Sequence, residues 1–158
     1  MTTLLLIRHG IAEDPRAGQR DADRALTEEG WKKTRAAMKG LVAIGYVPTR
    51  GFSSPYRRAL ETLVCLQEVT GTFPTKTRDD LKPDGQPTQV DLWLRSLQAE
   101  GGSGQVLALV SHQPFLSELI FQLTGRNVEV KKASCTVIRW REGAWCFERH
   151  YQPSELRH

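Results

Sequence analysis

Apolar positions follow two patterns along the chain. Residues 3–7 and 105–110 are short continuous apolar runs, LLLI and VLALV at their hearts. Runs of this length predict strands buried on both faces. Elsewhere the apolar residues recur at helical spacing. Thr27 caps a first helix with Glu28 and Glu29 in its first turn, Trp31, Met38, Leu41 and Val42 along it, and Gly45 at its end. Ser54 and Pro55 read as N-cap and first position of a second helix, faced by Ala59, Leu60, Leu63, Val64 and Gln67 and stopped by Gly71. A third starts near Thr88, with Val90, Trp93, Leu94 and Leu97 on one side, and ends at the GGSG of 101–104. A fourth runs from Pro114 to Leu123, before Gly125.

Residues 50–53 and 73–77 read as brief strands, and CTVIRW (135–140) and WCFERH (145–150) flank a turn as a β-hairpin. The polar stretches GIAEDPRAGQRDADRA and RDDLKPDGQP read as loops, the first long enough to suggest function. Strand–helix alternation predicts a three-layer α/β/α sandwich with a mostly parallel central sheet and a C-terminal hairpin. Residues 1–150 form one expected domain, and 151–158 a loose tail. In open parallel sheets, ligands bind in the crevice beyond the carboxyl ends of the strands.

Composition narrows the classes. The 158 residues carry 22 Lys and Arg against 18 Asp and Glu, a formal charge of +4. The cations are spread rather than blocked, so nucleic acid is not expected, but an anionic substrate is compatible. Cys65, Cys135 and Cys146 are odd in number and lack C-x-x-C spacing, which argues against disulfides or zinc. No apolar run approaches the ~20 residues of a membrane span, and no leader is evident. The expectation is a soluble, cytoplasmic monomer without membrane or nucleic-acid partners.

Two of the four histidines, His9 and His112, directly follow the two apolar runs, as R-H-G and S-H-Q. Parallel neighbouring strands would put both imidazoles at one sheet edge. Arg57 and Arg58 fall in the first turn of the second helix, where a cation opposes the dipole unless an anion compensates. The start of the fourth helix offers further N–H groups beside His112. Histidines, arginines and helix N-termini without metal-ligand spacing suit a dianionic phosphoryl group. A histidine nitrogen could then be the nucleophile.

R-H-G after the first strand, Ser54-Pro55-Tyr56-Arg57-Arg58-Ala59, and S-H after a later buried strand resemble the histidine phosphatase (phosphoglycerate mutase-like) superfamily. D-x-x-R-x-L-T-x-x-G (Asp21 to Gly30) and L-x-P-x-G (Leu81 to Gly85) resemble its SixA-type phosphohistidine phosphatase branch. The similarity runs in order from residue 4 to about 140. It implies that His9 becomes phosphorylated, that Arg8, Arg58 and His112 complete the catalytic phosphate pocket, and that no cofactor or metal takes part. Gly10, Arg24, Arg57 and Gln113 are further candidates for substrate contact.

Larger relatives usually carry a glutamate proton donor between the second and third motifs. Here that segment offers Asp79, Asp80 and Asp84, with Asp84 and Asp80 as candidate donors. Without a clear acid, phosphohistidine on a protein is the favoured substrate, because its imidazole can leave already protonated. The alternatives are a phosphomonoesterase for small metabolites and a non-catalytic phosphate-recognition module. The C-x₅-R spacing of Cys135 and Arg141 lacks a glycine-rich cradle and reads as strand. Trp31, Trp93, Trp140 and Trp145 read as packing residues.

Overall fold

Leu4, Leu5, Leu6 and Ile7 are completely buried, and their strand β1 (Thr3–Arg8) lies inside a six-stranded sheet. The structure, a computed structural model, describes residues 1–157. The other strands are β2 (Arg50–Ser53), β3 (Thr75–Thr77), β4 (Val106–Ser111), β5 (Cys135–Arg141) and β6 (Ala144–Tyr151), in spatial order β3-β2-β4-β1-β5-β6. The β1, β4, β2 and β3 strands are mutually parallel, whereas β5 runs antiparallel to both β1 and β6.

Alternation along β1 divides the core. Leu4 and Leu6 pack with α3 (Pro87–Glu100) and α4 (Phe115–Thr124) on one face. Leu5 and Ile7 pack with α1 (Glu28–Ile44) and α2 (Arg57–Thr70) on the other. Each such side chain stabilises the fold by about 1.5–3 kcal/mol through burial. The expected three-layer sandwich with its mostly parallel sheet and C-terminal hairpin is therefore the architecture observed. The first helix has the anticipated ends: Thr27 accepts from the Gly30 N–H, and Gly45 adopts φ +118°.

Two expectations fail. The second helix begins at Arg57, not at Ser54 and Pro55, with Tyr56 as its N-cap. The Ser54 hydroxyl does accept from the Tyr56 N–H at 3.2 Å, but its other partner lies across the sheet edge, as described below. The C-terminal segment is also not loose through residue 157. Tyr151 completes β6, and Pro153–Leu156 forms a short helix, α5, opened by a capping box of Gln152 and Glu155. Leu156 is buried among the residues of α1 and α2. Gly40 makes the contact possible, because a Cβ there would collide with the Leu156 carbonyl. A polar-looking ending hid one apolar anchor, while His158 lies outside the described residues.

Leu156→Ala should accordingly cost about 2–4 kcal/mol. Urea denaturation measures it; an unchanged midpoint would show that α5 adds nothing to the core.

Candidate active site

Backbone register brings the site together. Arg8 pairs with Ser111 and Ser53 with Val110, so His9, His112 and Ser54 are the next residues out on three adjacent parallel strands. The His9 N–H bonds the Ser111 carbonyl at 3.1 Å and the Ser54 N–H bonds the Val110 carbonyl at 3.0 Å, extending the ladders by one step. The two imidazole rings stand 5.1 Å apart between centroids.

Each histidine is oriented by a short hydrogen bond. His9 Nδ1 lies 2.7 Å from the Gly10 carbonyl. A carbonyl only accepts, so Nδ1 carries the proton and Nε2 keeps an unprotonated lone pair. Arg58 Nε–H donates to that lone pair at 3.4 Å. His112 Nε2 lies 2.7 Å from Ser54 Oγ, while His112 Nδ1 is buried without a partner.

Arginines surround the pair. Arg58, only 5% exposed, gives one terminal nitrogen to the Asp21 carbonyl at 2.8 Å and the other to the Asp21 carboxylate at 3.1 Å. Arg8 donates to the Val130 carbonyl at 3.0 Å, and its Nε is buried without a partner. The turn Lys131–Ser134 is joined to the same strand end: the Ala133 N–H reaches both the Arg8 and His9 carbonyls, at 3.0 and 3.2 Å. Ala133 holds φ +60°, a conformation that costs an alanine about 1 kcal/mol.

Charge is thus concentrated and poorly compensated. Burial, then Arg58, lowers the pKa of Arg8. Burial, then Arg58, Arg8 and Lys132, pushes His9 down from 6.5 to about 3 against the opposing bond to Gly10. Burial, then His9 and Arg58, pushes His112 down to about 2. Burial acts to raise Asp21, but bonds from Arg24 and Arg58 outweigh it and hold the carboxyl below its ordinary range. Two guanidiniums, two neutral imidazoles and two buried nitrogens without partners among the described residues are groups whose chemistry suits an oxyanion.

Several other predicted residues are placed elsewhere. Arg57 is turned outward and paired with Glu61 at 3.1 Å. Arg24 bonds the Glu13 carbonyl and the Asp21 carboxylate, both at 2.7 Å, so it braces the loop that holds Arg58. Gln113 spends its amide on Ser117, accepting from its N–H at 2.9 Å and donating to its hydroxyl at 2.6 Å. With Leu116 and Glu118 N–H groups bonded to His112 and Pro114, the start of α4 is largely satisfied internally. Gly10 is required by packing: a Cβ would strike Thr34 Oγ1, and its N–H bonds Thr62 Oγ1 at 3.1 Å.

Both proton-donor candidates line a neighbouring cleft of about 580 Å³, with Arg78, Lys82 and Gln89 among its walls. Its loop is tied to the sheet edge through Arg78 N–H to Ser53 and Ser111 Oγ to Leu81. Asp80 engages Arg78 through both oxygens, at 3.0 and 2.7 Å, and Asp84 is exposed. Cys135 is completely buried in β5 and burial raises its thiol pKa, which suits packing, not nucleophilic attack. Sequence reasoning treated Ser54 as a helix cap and passed over Asp21, although Asp21 begins the motif that contains Arg24.

The profile of the histidine phosphatase superfamily (branch 1) matches residues 4–83, and the chain belongs to that family. It is a phosphatase-class enzyme by that membership. It is 28% identical to a 2,3-bisphosphoglycerate-dependent phosphoglycerate mutase of Rhizobium etli, over 90% of this chain and 80% of that protein. Its fold is similar to that of the protein histidine phosphatase SixA complexed with tungstate, at TM-score 0.89 and 24% identity over 98% of this chain and 99% of that one. It is also similar to phosphoglycerate mutase from Bacillus anthracis, at TM-score 0.80 and 17% identity over 98% and 95% of the two chains.

Histidines with lowered pKa values contribute stability fully above the unfolded value near 6.5 and lose it as pH falls toward the folded values of about 3 and 2. The anion-free protein should therefore weaken on acidification below about pH 6.5. His112→Gln should make that decline shallower, as read from urea midpoints across this range; equal slopes would contradict the buried neutral imidazole.

Proposed function

We propose that this protein hydrolyses phosphohistidine on a protein through a phosphorylated His9. The observation that carries the reading is the unprotonated Nε2 lone pair of His9, which accepts from Arg58 Nε–H at 3.4 Å and stands beside His112. In the first step that lone pair attacks phosphorus. The donor P–N bond breaks, and its electron pair stays on a leaving imidazole already protonated at its other nitrogen. Arg8, Arg58 and His112 receive the phosphoryl oxygens as charge shifts between them. In the second step water attacks the same phosphorus and the P–Nε2 bond breaks. The Nδ1 proton, held on the Gly10 carbonyl, makes the His9 imidazole the leaving group.

The carboxylates favour this substrate over an alkyl ester. An alkoxide needs an acid, but Asp21 is committed to Arg58 and Arg24, and Asp80 to Arg78. Residues from Arg8 to His112 suffice for a phosphoramidate, whose leaving group brings its own proton. The mutase relative supports a second reading, a phosphomonoesterase or mutase for small metabolites with Asp84 as donor. A phosphohistidine substrate also fits a partner in phosphorelay or phosphotransfer signalling.

His9→Ala should abolish turnover of a phosphohistidine protein, and rapid quench should trap phosphate on His9 in the unmodified enzyme. A panel with phosphoserine peptide and sugar phosphate should favour phosphohistidine by at least about tenfold. Preference for the sugar phosphate, lost in Asp84→Asn, would establish the second reading instead.

A further inference from the structure

Ser54 lies at the end of β2 and is completely buried; His112 at the end of β4 is 1% exposed. Their 2.7 Å contact is compatible with two proton arrangements. The surroundings distinguish them. Ser54 Oγ already accepts the Tyr56 N–H at 3.2 Å, and its hydrogen-bond partners among the described residues are Tyr56 and His112. If His112 Nε2 carried the proton, the buried hydroxyl would have nowhere to donate and the Nδ1 lone pair would also be unpartnered. If the hydroxyl donates to Nε2, only the Nδ1–H is left over. A buried polar group without a partner costs about 1–3 kcal/mol, so the second arrangement wins by one such group.

We propose that Ser54 is a positioning residue that locks His112 in the Nδ1–H tautomer, so that a neutral imidazole presents an N–H to the bound phosphoryl oxygen. Around the ring the guanidiniums of Arg8 and Arg58 outweigh one carboxylate, that of Asp21. His9 and Arg8 act on it from the end of β1 and Arg58 from α2, while Asp21 is the opposing carboxylate and the Tyr56 ring lies 5.1 Å away. A charged imidazolium would be repelled there, and protonating Nε2 would take away the acceptor of the Ser54 hydroxyl. A tautomer lock therefore supplies a donor without requiring a titration. A lone pair at Nδ1 would repel the anion.

The inference rests on the phosphate reading of the site, but its test does not need turnover. In ¹⁵N NMR of the anion-free protein, with the His112 signals identified by their loss in His112→Gln, Nδ1 should show the protonated, pyrrole-type shift and Nε2 the pyridine-type shift. The reverse assignment overturns the proposal, whatever the substrate proves to be. Tungstate, a dianion, then probes the consequence by calorimetry. Wild-type affinity should stay flat from about pH 6 to about pH 8.5. In Ser54→Ala the Nδ1–H tautomer is no longer held, so the His112 ¹⁵N shifts should move toward those of the other tautomer and tungstate affinity should fall by about tenfold at every pH in this range. Unchanged His112 ¹⁵N shifts in Ser54→Ala, or an unchanged affinity, would reduce Ser54 to a packing role and overturn the proposal. Should Ser54→Ala fail to fold, the wild-type tautomer alone decides. Failure of tungstate to bind the wild-type protein would instead count against the phosphate reading itself.

Discussion

The parallel pairing of β1 with β4, and of β4 with β2, is the constraint on which the site depends. It sets Arg8 opposite Ser111 and Ser53 opposite Val110. Three polar residues from distant parts of the chain then leave the sheet in adjacent positions. A slip of one residue in either pair would reverse which side chains face each core layer. Such a slip would exchange Leu4 and Leu6 with Leu5 and Ile7 between two differently shaped core layers and take Arg8 from the Val130 carbonyl. The hydrophobic core thus acts as the jig for the chemistry, holding the imidazoles at a spacing that flexible loops alone would not maintain.

Around this rigid row the cations are supported unequally. Arg58 is clamped by Asp21, which Arg24 holds in turn, so its orientation comes from the long loop before α1. Arg8 has a carbonyl instead of a carboxylate as its partner. Its charge has no carboxylate beside it among the described residues, and the strained turn at Ala133 ties the antiparallel half of the sheet to the same point. Backbone strain of this sort persists where the surroundings over-determine it.

Much of this was legible from residue pattern. Apolar runs ending in R-H-G and S-H placed both histidines at one sheet edge, because strand burial and parallel topology are encoded locally. Arg58 was legible from its position in a first helical turn. The supporting shell was not. Whether Ser54 caps a helix or holds His112 depends on a partner 58 positions away, and Thr34 explains Gly10 only once α1 is packed against β1. Arg57 and Arg58 are neighbours in sequence, yet helical geometry sends one to Glu61 and the other inward. Leu156 was hidden because a single apolar residue in a polar tail has no periodicity to betray it.

The unpartnered nitrogens Arg8 Nε and His112 Nδ1 bear on how the proposed reaction finishes its cycle. Groups left unsatisfied before the substrate arrives are satisfied as well by the released phosphate as by the phosphoryl group it came from. Binding energy that is the same for product and substrate does not speed the chemical step. In the proposed reaction, departure of inorganic phosphate therefore competes with chemistry for control of the turnover rate. In that proposed reaction, free phosphate competes with the substrate for the same two nitrogens.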